Sequence, residues 1–303
     1  MRKVVIAGGS GFIGSKLCAH YKSRAFEIVV LTRRSSFTEN EIRFVHWNAK
    51  ALGPWQAELD GADILVNMNG RSVDCRYNES NKKEIFDSRI DATKVLGMAI
   101  GQLKQPPLLW FNSSSATIYR HAEDRQMDEA SGELGQGFSV EVCKSWEQTF
   151  FSAQTQGTRK VALRTAIVLG AQGGALKPLA RMTKFGFGGT QGIGSQFFSW
   201  VHEDDLLRAM DFIEEHHSIE GPVNISAPNP LRNKEVMRLF RLKMGVSFGF
   251  PTPKWLLTIG ARFINTETEL ILKSRNVVPK KLKEMGFVFS YPNLNRALDD
   301  LIK

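Results

Sequence analysis

A run of glycines near the start of the chain constrains the fold more than any other stretch of the sequence. Glycines stand at positions 8, 11 and 14, after the apolar residues 3–7 and before a helical pattern from about Phe12 to Lys22. In a strand–turn–helix unit, this spacing provides a tight turn, close approach of the backbone to a pyrophosphate, and packing of the helix on the sheet. The N–H groups at the helix N-terminus then face the phosphates. The motif predicts a dinucleotide-binding fold.

Two other motifs that combine glycine with serine do not match. A P-loop ends in Gly-Lys-Ser or Gly-Lys-Thr, whereas this chain has Gly14-Ser15-Lys16, so the lysine would lie on the wrong face of the helix. A nucleophile elbow needs a glycine two residues before and two residues after its serine. Ser10 has Gly8 before it but Phe12 after it.

Apolar strand-like runs alternate with helical patterns over the first half of the chain. After residues 3–7, the predicted strands cover residues 27–32, 42–47, 63–67, 108–112 and 161–166. The longest predicted helix runs from about Asn78 to Lys104 and stops before Pro106. This alternation indicates an α/β fold with a doubly wound, parallel Rossmann sheet and right-handed crossovers.

The second half of the chain has a different pattern. Residues 170–194 contain eight glycines, which predicts a long loop with one short helix near residues 175–182. A strand over 197–201, a helix from about Asp204 and a strand near 222–226 follow, and residues 233–303 are mostly helical. We divide the chain into a Rossmann domain over 1–170, which the strand at 222–226 could rejoin, and a smaller, mostly helical substrate-side lobe over 171–303. An apolar pocket or core packing would explain the aromatic residues in and beside the glycine-rich loop, Phe185, Phe187, Phe197, Phe198 and Trp200.

Composition and charge narrow the possible partners and the compartment. The 303 residues carry a net charge of +9, which suits phosphorylated small molecules, while the dispersed lysines and arginines argue against nucleic acid. The three cysteines, Cys18, Cys75 and Cys143, are too scattered for a disulfide framework, so we expect a reducing compartment, the cytoplasm. The sequence has no stretch of about 18 apolar residues, so we expect no membrane partner. It leaves the oligomeric state open.

The end of the second predicted strand indicates which dinucleotide is bound. NAD-specific folds carry an Asp or Glu there, which accepts hydrogen bonds from the ribose 2′-hydroxyl. This chain has Thr32, Arg33 and Arg34 instead. Because arginine matches a phosphate with two parallel hydrogen bonds, the pair predicts NADP(H) rather than NAD(H). The alternative is that both are solvated loop arginines.

Arg89 and Thr93 lie on the same side of the long helix as the apolar residues Ile85 and Leu96. A long arginine within a buried stripe usually has an anionic partner. That partner is either a carboxylate in a structural salt bridge or the cofactor itself, and the sequence leaves both alternatives open.

With these motifs the chain resembles the extended and atypical short-chain dehydrogenase/reductase superfamily. Within it, the chain is most similar to the NAD-dependent epimerase/dehydratase-like subgroup with a C-terminal extension domain. The resemblance covers nearly the whole length. Besides the glycine motif at 8–14, its landmarks are Asn-Met-Asn-Gly at 67–70, Ser-Ser-Ser-Ala-Thr at 113–117, and the segments 83–89, 142–147, 163–170, 188–202 and 279–282.

The resemblance implies a nicotinamide dinucleotide cofactor and places Ser10–Ile13 at the pyrophosphate. It places Thr32 and Arg33 at the adenosine ribose with its phosphate, and Val168 beside the nicotinamide. Together with the glycine motif and the two arginines, it gives a set of predicted cofactor-binding residues. They are Gly8, Ser10, Gly11, Phe12, Ile13, Gly14, Thr32, Arg33, Arg34, Asn67, Met68, Asn69, Gly70, Glu84, Arg89 and Val168.

The catalytic pair of the superfamily is missing. Short-chain dehydrogenases use Tyr-x-x-x-Lys, in which the lysine lowers the tyrosine pKa and the tyrosine exchanges a proton with the substrate oxygen. No tyrosine here has a lysine four residues later, since those positions hold Ala25, Asn81, Glu123 and Asn295. The register of Trp146-Glu147 puts Ser139 at the tyrosine position and Cys143 at the lysine position. Both are expected to pack in the helix or line a pocket.

Few candidates remain for catalysis. By the resemblance, Ser115 stands at the place of the superfamily's catalytic Ser/Thr and would hydrogen-bond a substrate carbonyl, or serve as a structural hydroxyl. Tyr119 would be a proton donor in a new position, or a packed loop aromatic. His202 would be an acid/base group or a structural histidine. We predict no metal site.

These observations leave two main hypotheses. The first is an NADP(H)-dependent oxidoreductase or epimerase-like enzyme that acts on an unidentified small molecule through an unusual proton donor. The second is a non-catalytic NADP(H)-binding sensor or scaffold. A third, a nucleic-acid-binding Rossmann protein, would require a salt-dependent interaction with oligonucleotides.

Overall fold

The structure is a computed structural model that describes residues 1–257, 267 and 269–302. Its strands are β1 (Lys3–Ala7), β2 (Glu27–Thr32), β3 (Phe37–Glu39), β4 (Ile42–His46), β5 (Ile64–Asn67), β6 (Leu109–Ser115), β7 (Arg159–Thr165), β8 (Ile167–Gly170), β9 (Gly173–Gly174), β10 (Phe197–Phe198), β11 (Trp200–His202), β12 (Gly221–Ile225) and β13 (Leu231–Arg232). Its main helices are α1 (Phe12–Ser23), α2 (Glu79–Ile100), α3 (Phe138–Ser152), α4 (Leu176–Met182), α5 (Glu203–Glu215), α6 (Asn233–Lys243), α7 (Glu269–Leu272), α8 (Lys280–Glu284) and α9 (Leu294–Leu301).

Eight of these strands form the central sheet, in the order β12-β7-β6-β5-β1-β2-β4-β3. The inner strands are apolar on both faces, which explains why helices cover both sides. In β1, Val4 and Ile6 face a core cluster that α1 and α5 share, while Val5 and Ala7 face the cluster of α2 and α3. Parallel strands that are buried on both faces read as continuous apolar runs in sequence. The predicted doubly wound Rossmann architecture is confirmed.

One edge of the sheet departs from the predicted all-parallel arrangement. Strand β3 was not predicted, and it pairs antiparallel with β4. The chain reverses at Asn40 and Glu41, which both have positive φ, and Phe37 stacks on Phe44 with 4.3 Å between ring centroids. A tight turn without glycine, one of whose residues is a glutamate, carries a weak sequence signal. This explains why the sequence did not predict the β3–β4 hairpin.

The predicted strand near 222–226 is β12, which pairs in parallel with β7. It therefore lies in the central sheet, as the predicted division allowed. The boundary that we placed at residue 170 remains a prediction. Among the described residues, no helix combines the length and apolar character that a membrane-spanning segment needs.

The strand predicted over 197–201 is in fact two strands in different sheets. β10 pairs antiparallel with β13, and β11 pairs in parallel with β8. The break falls at Ser199, whose hydroxyl donates to the carbonyl of Arg275 (2.6 Å) and accepts the N–H of Val277 (2.8 Å). The buried Ser199 hydroxyl thus connects the break between the two strands to the C-terminal segment.

The glycine-rich segment 170–194 contains more structure than the one predicted helix. β8 and β9 form a short antiparallel hairpin, α4 follows, and residues Thr183–Phe187 form a wide π-type turn. Phe185 is 66% exposed and Phe187 46% exposed. Neither the predicted pocket nor the predicted core packing holds for these two side chains. Trp200, in contrast, is fully buried in the core.

The C-terminal segment closes against the loop that follows β6. The N–H of Met127 donates to the carbonyl of Asn276 (2.7 Å), and the N–H of Val278 donates to the carbonyl of Met127 (3.0 Å). Farther along, Leu294 and Leu298 of α9 pack with α6 around Phe240. These contacts join the last quarter of the chain to the carboxyl end of the sheet, where ligands bind in such folds.

Candidate cofactor cleft and active site

A cleft of about 470 Å³ opens at the carboxyl ends of β1, β5 and β6 and continues along α3. Its cofactor end is formed by the glycine turn and the segment after β5, with Gly8, Gly11, Phe12, Ile13, Gly14, Met68, Asn69, Gly70 and Arg89. Its substrate end is formed by Tyr77, Ser115, Thr117, Phe138, Ser139, Val142 and Cys143. The predicted residues Ser10, Thr32, Arg33, Arg34, Asn67, Glu84, Tyr119 and Val168 do not line it.

The glycine turn needs glycine at two positions for different reasons. Gly8 has φ +87°, and a Cβ there would lie 2.8 Å from the carbonyl oxygen of Met68. At Gly14, a Cβ would lie 2.5 Å from the carbonyl oxygen of Gly8. At Gly11 the nearest such atom is 3.8 Å away, so this position stays open toward the cleft. No side chain caps α1 at Gly11, which leaves its first N–H groups available to an anion.

The two arginines after β2 differ in their surroundings. The Arg34 guanidinium lies over the Phe37 ring, 5.0 Å from its centroid, and the Arg34 carbonyl contacts Nδ1 of His46 (3.0 Å). Arg33 is exposed, and within the described part of the chain its side chain forms no ion pair. Because the carboxyl end of β2 adjoins that of β1, Arg33 follows the strand next to the glycine turn.

The predicted residues at the end of β5 and just after it lie in two different places, below the cleft and in it. Asn67 is fully buried below the cleft, where its amide donates to Thr93 Oγ1 (3.0 Å) and to Asn112 Oδ1 (2.7 Å). Its Oδ1 accepts the N–H of Asn69 (3.1 Å). Asn67 therefore holds the turn that places Asn69 and Gly70 in the cleft, and its own side chain does not reach the cleft.

Arg89 lines the cleft from α2. Its guanidinium donates to the carbonyls of Arg71 (3.0 Å) and Ile85 (2.9 Å) and lies over the Trp146 ring at 5.1 Å. Burial lowers its pKa. No carboxylate pairs with it among the residues that the structure describes, so the salt-bridge alternative is not what the structure shows. Glu84, the other residue predicted on this helix, is exposed and forms an ion pair with Arg71.

Ser115 and Tyr119, the two predicted catalytic residues, are not brought together. Ser115 Oγ accepts the N–H of Thr117 (3.2 Å) at the edge of the cleft. Tyr119 is only 1% exposed; its hydroxyl donates to Asn224 Oδ1 (2.9 Å) and accepts from Arg164 (2.9 Å). Because its hydroxyl is held in this buried network, Tyr119 is the packed loop aromatic that the sequence left open as the alternative. Its prediction as a proton donor is corrected accordingly.

Two family models match the chain. Residues 4–226 match the NAD dependent epimerase/dehydratase family, and residues 252–301 match a domain of unknown function, DUF1731. The chain belongs to the NAD dependent epimerase/dehydratase family. An epimerase family protein of Staphylococcus epidermidis is 32% identical over 305 residues, with both chains covered completely. An epimerase family protein of Staphylococcus aureus is 30% identical over 306 residues, again with both covered.

Solved structures of related proteins agree with this assignment. The human epimerase family protein SDR39U1 (isoform 2), crystallised with NADPH, has a TM-score of 0.87 and 28% identity, covering 99% of this chain and 98% of its own. A nucleoside-diphosphate sugar epimerase from Corynebacterium glutamicum has a TM-score of 0.78 and 29% identity, covering 98% of this chain and 57% of its own. The predicted resemblance is confirmed.

For a member of the epimerase/dehydratase family, the wall formed by α3 has unusual side chains. Ser139 and Cys143, at the expected tyrosine and lysine positions, both line the substrate end. The prediction that they pack in the helix or line a pocket is thus consistent with their placement. Tyr77 and Thr117 also line this end, although the sequence predicted no role for either residue. The only available signal for Tyr77 was its position between β5 and the long helix.

Neither Val168 nor His202 is among the residues that line the cleft. Val168 in β8 is paired with Val201 and packs against the core of α1 and α5. His202 is buried and caps α5, with Nδ1 accepting the N–H of Asp204 (3.0 Å), and its ring stacks on Tyr291. His202, Asp204 and Asp300 are close enough to suggest a metal site. Nδ1 already accepts the helix N–H, so this ring nitrogen is not available to a metal ion, and Nε2 lies 3.3 Å from Asp300.

Proposed function

We propose that the chain binds NADP(H) at the cofactor end and transfers hydride to or from a small carbonyl or alcohol substrate at the substrate end. It would act as an NADP(H)-dependent oxidoreductase or epimerase-like enzyme. One observation carries the proposal: a single cleft joins the glycine turn to Ser115 at the end of β6. A dinucleotide with its pyrophosphate on the turn extends along that cleft.

The preference for NADP(H) is supported by Arg33. Arg33 is exposed, follows the strand that pairs with β1 and forms no ion pair within the described residues, as a ligand of the 2′-phosphate must. The NADPH in the similar human protein is further support. Arg89 would add positive charge at the cofactor, since its guanidinium lines the cleft without a carboxylate partner among the described residues.

The chemistry divides between cofactor and protein. The nicotinamide supplies or accepts hydride when it is bound. Ser115 Oγ accepts one hydrogen bond from Thr117, which leaves its own hydrogen to donate to a substrate oxygen. Ile85 and Val142 give the cleft an apolar wall, which restricts water around the reacting atoms.

The test is a fluorescence titration of the purified protein with NADPH and with NADH. We expect NADPH to bind more tightly, by about tenfold or more, which corresponds to about 1.4 kcal/mol or more. The absence of binding by either dinucleotide would refute the proposal. Tighter binding of NADH would retain the dinucleotide site but refute the assignment of Arg33.

A non-catalytic NADP(H)-binding sensor or scaffold is the second candidate, and the serine and cysteine at 139 and 143 favour it. The two candidates separate in a panel of aldehydes and ketones incubated with the protein and NADPH. Oxidation of NADPH with any of them supports the enzyme. Tight binding without turnover across the panel supports the sensor.

We also propose a reducing compartment, the cytoplasm, because all three cysteines are buried free thiols. Neither nucleic acid nor a membrane is part of the proposal. A salt-dependent mobility shift with an oligonucleotide would contradict the first of these exclusions.

A further inference from the structure

The missing Tyr-x-x-x-Lys pair leaves two chemical tasks without a residue on α3. One task is to carry a proton on a phenol, and the other is to provide a permanent positive charge beside it. Ser139 supplies a hydroxyl but no phenol. Burial raises the pKa of the Cys143 thiol to about 12, so this side chain is neutral at physiological pH and supplies no charge.

Tyr77 brings a phenol to the same end of the cleft from a different part of the chain. It lies in the connection between β5 and α2, and its ring packs edge-on against Phe138, with 5.1 Å between centroids. Phe138 directly precedes Ser139, and both residues line the substrate end together with Tyr77. The backbone N–H of Tyr77 donates to Glu267 (2.7 Å), which holds the segment in place. The phenol therefore lies next to the helix position at which the family's tyrosine is expected.

Positive charge also reaches this place from other elements. Arg89 on α2 lines the cleft together with Cys143, and Arg275 in the C-terminal segment donates to Thr117 Oγ1 (3.1 Å) at the substrate end. Each guanidinium also interacts electrostatically with Tyr77 and Cys143. The two guanidinium groups thus act on the position where the family's lysine is expected. Glu267 and Glu269 face Tyr77 from the C-terminal side and oppose this charge. Burial is the larger effect and raises the pKa of Tyr77, so the phenol holds its proton at neutral pH.

We propose that Tyr77 is the catalytic proton donor of this site, with Arg89 and Arg275 supplying the positive charge and Ser139 positioning the phenol. The proposal rests on the proposed hydride-transfer function. In the reducing direction, the carbonyl carbon of the substrate accepts a hydride with its electron pair from NADPH. The Tyr77 O–H bond breaks as its proton passes to the carbonyl oxygen. The products are an alcohol, NADP⁺ and the Tyr77 phenolate.

In this scheme the phenolate regains its proton by way of Ser139 and Glu269. Ser139 Oγ donates to Glu269 Oε2 (3.2 Å), and Glu269 also lines a second, open cavity of about 690 Å³. A proton taken from solvent by Glu269 would reach Tyr77 through the Ser139 hydroxyl. Ser139 is therefore a positioning and relay residue, and it makes no contact with the substrate in this scheme.

The first test measures the Tyr77 pKa itself and needs no turnover. Alkaline ultraviolet difference spectra of the wild type and Tyr77→Phe isolate the Tyr77 phenolate signal. Arg89→Met should raise the Tyr77 pKa by about one unit, because a neighbouring positive charge favours the phenolate. Arg89→Lys should restore the wild-type value. If Arg89→Met is folded by circular dichroism and leaves the Tyr77 pKa unchanged, the assigned role of Arg89 is overturned.

The second test uses the charge of the cofactor. Oxidised nicotinamide is positively charged and reduced nicotinamide is not, so a phenol beside the ring should have a lower pKa with NADP⁺ than with NADPH, by about half a unit or more. Equal Tyr77 pKa values in the two complexes would overturn the proposal for Tyr77. If neither dinucleotide binds, the proposed function fails, and the Arg89 measurement still decides whether the phenol and the guanidinium are coupled.

The third test uses any carbonyl compound that the protein reduces. Tyr77→Phe should lower kcat by about 10²–10⁴-fold, the usual contribution of a general acid, with KM and NADPH affinity nearly unchanged. Ser139→Ala should lower kcat less and alter its pH profile. Tyr291→Phe is the matched control, because Tyr291 stacks on His202 away from the cleft, and it should keep full activity. Wild-type kcat in Tyr77→Phe would overturn the proposal.

Discussion

The two ends of the cleft are built in different ways. At the cofactor end, the turn depends on backbone geometry within a few consecutive residues, namely the left-handed Gly8, the missing side chain of Gly14 and the open N-terminus of α1. At the substrate end, Ser115, Tyr77 and Ser139 come from three elements that are distant in sequence. A local motif thus defines the binding end, whereas the chemical end depends on tertiary packing and can obtain an equivalent group from another element.

The largest expected effect concerns the support beneath the substrate end. Arg164 and Glu147 are each 7% exposed and form a double hydrogen bond of 2.7 and 2.9 Å, and Arg164 also holds the Tyr119 hydroxyl. Arg164→Met leaves the Glu147 carboxylate buried and unpaired. We expect a loss of about 3–5 kcal/mol in the free energy of unfolding, measured with urea.

The control for this change lies on α3, the helix that carries Glu147. Lys144 pairs with Glu141 on the exposed face of α3 (3.0 Å), and Lys144→Met should cost far less because surface ion pairs contribute little. Equal losses for Lys144→Met and Arg164→Met would show that the buried pair does not support the substrate end.

The next largest effect concerns the cofactor end. Arg33→Asp should weaken NADPH binding by about 1.5–3 kcal/mol, the range for a hydrogen bond to a charged group, and should affect NADH binding far less. Fluorescence titration measures both affinities. Arg238→Asp makes the same charge change on the exposed face of α6 and should leave both unchanged. An equal loss for the two dinucleotides would mean that Arg33 does not contact the 2′-phosphate.

The next prediction concerns the backbone geometry of the glycine turn, and its expected effect is smaller. Gly14→Ala introduces a Cβ 2.5 Å from a backbone oxygen and should lower the free energy of unfolding by about 1–3 kcal/mol, as overpacking does. Gly11→Ala adds the same methyl group where the nearest atom is 3.8 Å away and should leave thermal stability nearly unchanged. If the two variants melt alike, close packing does not explain the glycine at position 14.

The same contrast explains what the sequence alone could predict. The individual strands and the glycine turn were predictable because each is a pattern of residues that are close together in sequence. Asn67 belongs to a recognisable motif, but its side chain lies beneath the cleft, where it bonds Thr93 of α2 and Asn112 of β6. This orientation depends on two elements that are distant in sequence. The sequence favoured Tyr119 as a proton donor because it follows Ser115 closely. Only the folded chain shows that its hydroxyl is held by Asn224 while Tyr77 reaches the cleft.

The smallest expected effect separates the two arginines after β2, which the sequence could not distinguish. The Arg34 guanidinium lies over the Phe37 ring, an exposed cation–π contact of about 0.5–1 kcal/mol, whereas Arg33 makes no such contact with any residue that the structure describes. Moving Arg34 onto a phosphate would sacrifice this contact, so Arg34→Met should weaken NADPH binding by less than about 1 kcal/mol and should slightly destabilise the β3–β4 hairpin. Titration of Arg33→Met and Arg34→Met side by side measures the difference. If Arg34→Met loses more NADPH affinity than Arg33→Met, then Arg34 is the phosphate ligand, and the side chain must leave Phe37 when the dinucleotide binds.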